Sequence, residues 1–426
     1  MKIIKAGDVM NPLKTKTKDV DAYFMSFQQM YPKAYNKKKA SPYTKTRVIL
    51  MNGTEYESVW FLHQFARHCA NDEIKQAIAM VRKQEQQQQK MIACLKPLNE
   101  SILETTLSYE QLAIDLTATL AQNDKDKGNT EALNFALLED FDHLYRFSNL
   151  MMLDVKNACP DFVVGKFTEI MPARPTIAHH RYPKDDVKKP MNAQKSNLYS
   201  KLVANIITAA EQQTMNYYMN ISQWYKTDLG RKLYAEIGMV EEQHVTQYES
   251  LKDPTCTWLE QWVLHEYTEA YLYYSAMQEE EDTNIKKIWA HFYEIECSHL
   301  KLACAMLEKH EGKTYVSVFG EGEFPTLLKL GTNKEYIRDV IARTILLTGN
   351  RQSYIDVMKL KENADFFNYQ NQVIEDEKTL ASHEVVAQAI KSLGQDYRYQ
   401  DKPHPIKELQ NRKKDNTKIA RTKSLS

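Results

Sequence analysis

Glycine and proline are scarce in this chain, at 12 and 13 of 426 residues. So few residues suited to tight turns argue against many short strands and leave long helices as the expected structure. Cysteine is rare as well: Cys69, Cys94, Cys159, Cys256, Cys297 and Cys304 form no CxxC pair and no disulfide-dense pattern, which suits a reducing compartment. No charge of one sign dominates, because 56 Lys and Arg balance 56 Asp and Glu, so no net field draws the chain to nucleic acid or to a membrane surface. No apolar run is long enough to cross a bilayer, and Met1–Asp8 lack the apolar region of a signal peptide. Cytoplasm is therefore the expected compartment. The length predicts two or three domains, and 43% apolar residues suffice for ample cores.

What the chain does have is a recurrent spacing. Three histidines each follow an acid by three residues, and each of those acids follows another by thirty. The triples are Glu110 with Asp140 and His143, Glu211 with Glu241 and His244, and Glu266 with Glu296 and His299. Residues i and i+3 share a helix face, so each acid and its histidine can grip one ion. With acids at 56 of 426 positions, twelve histidines would yield about 0.2 such double matches by chance. A larger unit contains the triples. Adding 156 to Glu55, Glu85, Glu110 and Asp140 gives Glu211, Glu241, Glu266 and Glu296, with Gln88 standing where the second set has His244. The pattern reads as an internal duplication.

The organisation follows from these units and from the prolines. Residues 1–48 form a polar, lysine-rich arm expected to lie on the surface. Residues 49–155 form a first unit of two helical hairpins, in which Pro97 ends the second helix. Pro160, Pro172, Pro175, Pro183 and Pro190 mark 156–197 as a linker. Residues 198–310 form the second unit, 311–333 a loop, and 334–395 a further helical hairpin. The basic stretch 396–426 is expected to be a disordered tail. The fold class is all-α.

Helix geometry gives the spacing a use. At about 1.5 Å rise per residue, a chain that descends one helix, turns and climbs the next returns to its starting depth after about thirty residues. Four helices can thus point their acids at one central point. One Glu from each of two helices and Glu-x-x-His from each of two others make a dimetal ligand set. Mixed oxygen and imidazole donors fit iron or manganese.

Glu211, Glu241-x-x-His244, Glu266 and Glu296-x-x-His299 resemble the ligand set of the ferritin-like diiron superfamily, which includes ferritins, rubrerythrins and diiron oxygenases. The resemblance implies duplicated ferritin-like four-helix bundles with an additional C-terminal hairpin. It also implies two iron ions, with Glu241 and Glu296 bridging, Glu211 and Glu266 terminal, and both histidines as nitrogen ligands. Glu269 resembles the extra carboxylate of rubrerythrin-type sites. An oxidoreductase acting on dioxygen or peroxide is implied, with electrons from a separate donor protein because no rubredoxin-like cysteine pair is present. Iron oxidation and storage, or a helical scaffold with buried polar networks, stand as alternatives.

Two groupings of ligands are open. In one, Glu211, Glu241, His244, Glu266, Glu296 and His299 form the complete site, and Glu55, Glu85, Glu110, Asp140 and His143 form a second, degenerate one. In the other, Glu110, Asp140 and His143 join Glu211, Glu241 and His244 across the proline-rich segment. His179 and His180 could fold over a site mouth. Tyr218, Tyr248 and Tyr293 lie within two turns of expected ligands, whereas Cys297 should face away from the metal.

Overall fold

The computed structural model describes residues 10–396 and 398–411. The chain is predominantly helical, as its composition leads one to expect. In order, α1 spans Pro42–His68, α2 Asp72–Ala93, α3 Ile102–Asn123, α4 Lys127–Asp154 and the one-turn α5 Asp161–Val164. They are followed by α6 (Leu198–Ser222), α7 (Asp228–Glu249), α8 (Trp258–Glu279), α9 (Thr283–Glu311) and the one-turn α10 (Val316–Phe319). The last elements are α11 (Lys334–Thr344), an antiparallel hairpin of β1 (Leu347–Asn350) and β2 (Ser353–Asp356), α12 (Asp365–Ile374) and α13 (Ala381–Leu393). Among the described residues no helix is long and apolar enough to cross a membrane.

The 156-residue offset recurs in the starts and caps of the helices. Asn71 and Thr227 cap α2 and α7, each accepting from a backbone N–H inside its helix. Ser101 with Glu104 and Thr257 with Glu260 form capping boxes at α3 and α8. Asp126 and Asp282 cap α4 and α9. Each second position is the first plus 156, so both copies start their helices with the same chemistry.

The two copies are nevertheless not the two compact units. Unit 1 comprises the chain up to Pro97, Met191–Ala209 and Lys252–Lys329, and unit 2 comprises Leu98–Pro190, Ala210–Leu251 and the chain from Leu330 onward. Unit 1 therefore sets the hairpin α1–α2 against α8–α9, with α1 on α8 and α2 on α9. Unit 2 combines α3–α4 with α7 and the second half of α6. This corrects the contiguous division into 49–155 and 198–310. The reason lies at Pro97 and Pro254, each next to a unit boundary. A proline that stops a helix there sends the chain onward instead of back along its own hairpin.

The stretch 156–197, expected as an ordered linker, is packed: Val163, Val164, Ile170, Met171 and Ala173 lie in the core of unit 2 with Leu137, Phe141 and Leu144 of α4. Three further expectations are corrected. The arm 1–48 is partly packed, because α1 starts at Pro42 and Tyr23 donates from its hydroxyl to Glu294 of α9. The C-terminal hairpin of helices is interrupted by a β-hairpin. Gly349 disfavours helix, Thr348, Tyr354 and Ile355 favour strand, and Arg351 takes the turn at φ 53°. Of the expected disordered tail, His404 and Leu409 are buried, while 412–426 lie outside the described residues.

Candidate metal centres

In unit 2, the rows of α3, α4, α6 and α7 carry Glu110, Asp140, His143, Glu211, Glu241 and His244 to one point, and none is more than 1% exposed. Asp140, Glu211, Glu241 and His244 offer ligand atoms within 4.8 Å of one another, and so do Glu110, His143 and Glu241. Glu241 belongs to both groups. Its Oε1 lies 3.0 Å from His143 Nδ1 and its Oε2 3.1 Å from His244 Nδ1. His244 Nδ1 also stands 3.3 Å from Asp140 Oδ1 and 3.7 Å from Glu211 Oε2.

The ring of His244 is oriented from behind. Its Nε2 lies 2.8 Å from Glu139 Oε2, and Glu139 in turn receives Arg174 Nη1 at 2.9 Å and Arg181 Nη1 at 2.7 Å. Burial alone would raise the Glu139 carboxyl, but Arg181 and its other cationic neighbours hold it well below the usual range. An anionic acceptor that keeps a proton on Nε2 lets Nδ1 give its lone pair to a cation in the cluster, the usual outer support of a metal-bound imidazole. Glu139→Gln is expected to weaken metal binding at His244 by about 10–100-fold, read by competition against a chelator of known affinity. Unchanged affinity would mean that Glu139 serves only to neutralise the two arginines.

Unit 1 repeats the plan with Gln88 at a histidine position and Glu269 added. Glu85, Glu266, Glu296 and His299 form one group, Glu55, Glu85 and Glu269 another, and Glu85 is common to both. Glu85 is the residue that the offset of 156 turns into Glu241. His299 Nδ1 is 3.0 Å from Glu85 Oε1, 3.3 Å from Glu296 Oε2 and 3.7 Å from Glu266 Oε2, while its Nε2 is 2.8 Å from Gln84 Oε1. Gln88 replaces the second histidine, and its amide donates to Glu55 Oε1 at 2.9 Å and Glu296 Oε1 at 2.5 Å. A tyrosine closes each cluster. Tyr218, seven residues after Glu211, donates to Glu110, and Tyr273, seven after Glu266, donates to Glu55.

These clusters hold more buried negative charge than their own donors can balance. Glu55 Oε2, Glu85 Oε2, Glu110 Oε2, Asp140 Oδ2 and Glu211 Oε1 are buried without a hydrogen-bond partner. Burial pushes Glu211 and Glu296 up to about 7, and it raises Glu55, Glu110, Asp140, Glu266 and Glu269 well above their usual range, with neighbouring carboxylates adding to the effect. Glu241 and Glu85 are the exceptions: against burial, His143 and His244 hold Glu241 down to about 2, and His299 holds Glu85 below its usual range. Such oxygens need either protons or cations. Carboxylates with imidazole nitrogens facing inward fit divalent ions of the iron and manganese type.

The structure thus separates the expected six-ligand set. Glu211, Glu241 and His244 meet Glu110, Asp140 and His143 in unit 2, as in the grouping across the proline-rich segment, whereas Glu266, Glu296 and His299 meet Glu85 in unit 1. Glu269 faces Glu55 and Glu85. His179 lies beside His143 with ring centroids 5.4 Å apart, inside the packing and not over a mouth. Tyr248 is buried near His244, Tyr293 pairs with Thr15, and Cys297 is outside both clusters. Glu139, Arg174, Arg181 and Gln84 escape a reading of the sequence. Glu139 and Gln84 sit one residue before a ligand, which places them off the ligand face, and no spacing ties the arginines to it.

No protein-family model, curated protein or solved structure matches the chain.

Proposed function

We propose that the chain is a dimetal carboxylate protein of the ferritin-like kind, built of duplicated four-helix bundles, that acts as an oxidoreductase on dioxygen or peroxide. The observation that carries this reading is Glu241, whose two oxygens each meet one histidine of two ligand groups that share it. A carboxylate so placed suits a bridge between two cations. Glu110 and His143 would hold one, and Asp140, Glu211 and His244 the other. Iron is the first choice and manganese the second. A pair of such ions supplies electrons two at a time to an oxygen species. Around them the protein excludes water, fixes His244 through Glu139, and keeps the Tyr218 hydroxyl proton at the Glu110 carboxylate. Electrons would come from a separate donor protein, as the chain has no CxxC pair.

Anaerobic loading of the metal-free chain with Fe(II), followed by exposure to air, tests the proposal. The wild type should retain iron in unit 2 and consume oxygen, and His143→Ala and His244→Ala should each lower both iron content and oxygen uptake. Equal metal content in all three proteins would leave a helical scaffold with polar networks as the better reading.

A further inference from the structure

The two clusters differ most in their histidines, and that difference has a chemical meaning. In unit 2 each of the two ligand groups contains a histidine. In unit 1 the group of Glu55, Glu85 and Glu269 has none, and the residue at the histidine position is Gln88. We propose that this histidine-free half of the unit 1 cluster binds a hard divalent cation of the manganese(II) type, so that unit 1 holds two unlike ions. The proposal rests on the reading of the clusters as metal centres and adds to it the choice of metal at one position.

Three observations support the assignment. First, the available donors are all oxygens. Glu55, Glu85 and Glu269 are fully buried, and their ligand atoms lie within 4.8 Å of one another. All-oxygen sets suit Mg, Ca and Mn, whereas imidazole suits the later metals. Second, unspent oxygens belong to the proposed ligands: Glu55 Oε2, Glu85 Oε2 and Glu269 Oε1 are buried with no hydrogen-bond partner, as is Gln88 Oε1. Gln88 now turns its Nε2 donors to Glu55 and Glu296. Turning the amide by half a rotation would direct Oε1 at the same carboxylates, an arrangement that repels unless a cation stands between them. Gln88 can therefore act as a donor to the carboxylates in the metal-free protein and as a fourth oxygen ligand in the loaded one. Third, a cleft comes within one side chain, His265, of the position. Glu57, Phe61, Leu264 and His265 line a cleft, and His265 Nε2 stands 3.3 Å from Glu57 Oε2 and 3.9 Å from Glu269 Oε1. A metal site needs such an entry path.

The experiment loads the metal-free full chain anaerobically with Fe(II) together with an excess of Mn(II), removes loosely held ions, and counts both metals per chain. Wild type should retain one manganese. Glu269→Gln should retain none while keeping its iron, and Gln88→His, which restores an imidazole, should exchange the manganese for iron. Wild type without manganese, or Glu269→Gln with it, would overturn the proposal. If Glu269→Gln does not fold, the comparison of wild type with Gln88→His decides. The iron of unit 2, removed by Glu241→Ala, is counted in parallel. Manganese retained without that iron contradicts the proposed function alone, and iron without manganese contradicts this inference alone.

Discussion

Glu241→Ala is expected to cost the chain two ions, whereas Glu211→Ala costs one and Glu242→Ala none. Glu241 is the residue common to both ligand groups of unit 2, with Oε1 on His143 and Oε2 on His244. Truncating it removes a donor from each group at once and leaves Glu110 and His143 as a pair too sparse to hold an ion tightly. Glu211 belongs to one group only. Glu242, the exposed chain neighbour of Glu241, controls for the loss of a charge on α7. Elemental analysis of desalted protein reads the result directly. Glu85→Ala should have the same double effect in unit 1, because Glu85 is shared there in the same way. Wild-type metal content in Glu241→Ala would end the bridging role.

The residues of both clusters were legible in the sequence, but their partnership was not. Spacings of 30 and 25 residues set how deep each acid lies along its helix. They say nothing about which hairpin stands opposite, because α6–α7 can meet α3–α4 or α8–α9 with every acid at the same depth. The decision falls at Pro97 and Pro254, where the chain passes from one unit to the other. Helix boundaries carried a clearer signal: the paired caps Asn71 and Thr227, Ser101 and Thr257, and Asp126 and Asp282 repeat at the offset of the acids. The burial of the proline-rich segment was not legible for a physical reason. Proline excludes helix, but it does not exclude burial, and here the segment brings Arg174 and Arg181 to Glu139 in the interior. The β1–β2 hairpin was hidden because four-residue strands leave too short an alternation to be told from a frayed helix.

The metal-free chain should lose stability as pH rises from about 4.5 to 7 and beyond, and added metal should reverse the trend. Burial raises Glu211 and Glu296 from 4.5 to about 7. A carboxyl whose folded pKa exceeds its unfolded one binds its proton more tightly when folded, so its contribution is complete below about 4.5 and is lost as pH passes 7. His244 and His299 act in the same direction. Although burial opposes it, the surrounding carboxylates raise both, so their contribution is lost only as pH climbs above 6.5. Glu241, held near 2, works in a different window: its contribution is present above 4.5 and disappears only as pH falls toward 2. Between pH 5 and 8 the raised groups therefore decide the slope. One carboxyl moved by this much is worth on the order of 3 kcal/mol, which for units of this size lowers the melting temperature by about 6–12 °C. Divalent ions take the place of those protons, so binding releases them and tightens as pH rises. Thermal melts at pH 5 and pH 8, with and without Mn(II), should show the metal-free protein melting lower at pH 8 and the larger gain from metal at that pH. A metal-free protein that melts higher at pH 8, or a metal-induced gain that is equal at both, would mean that the buried carboxylates are neutralised by their own neighbours and need no cation.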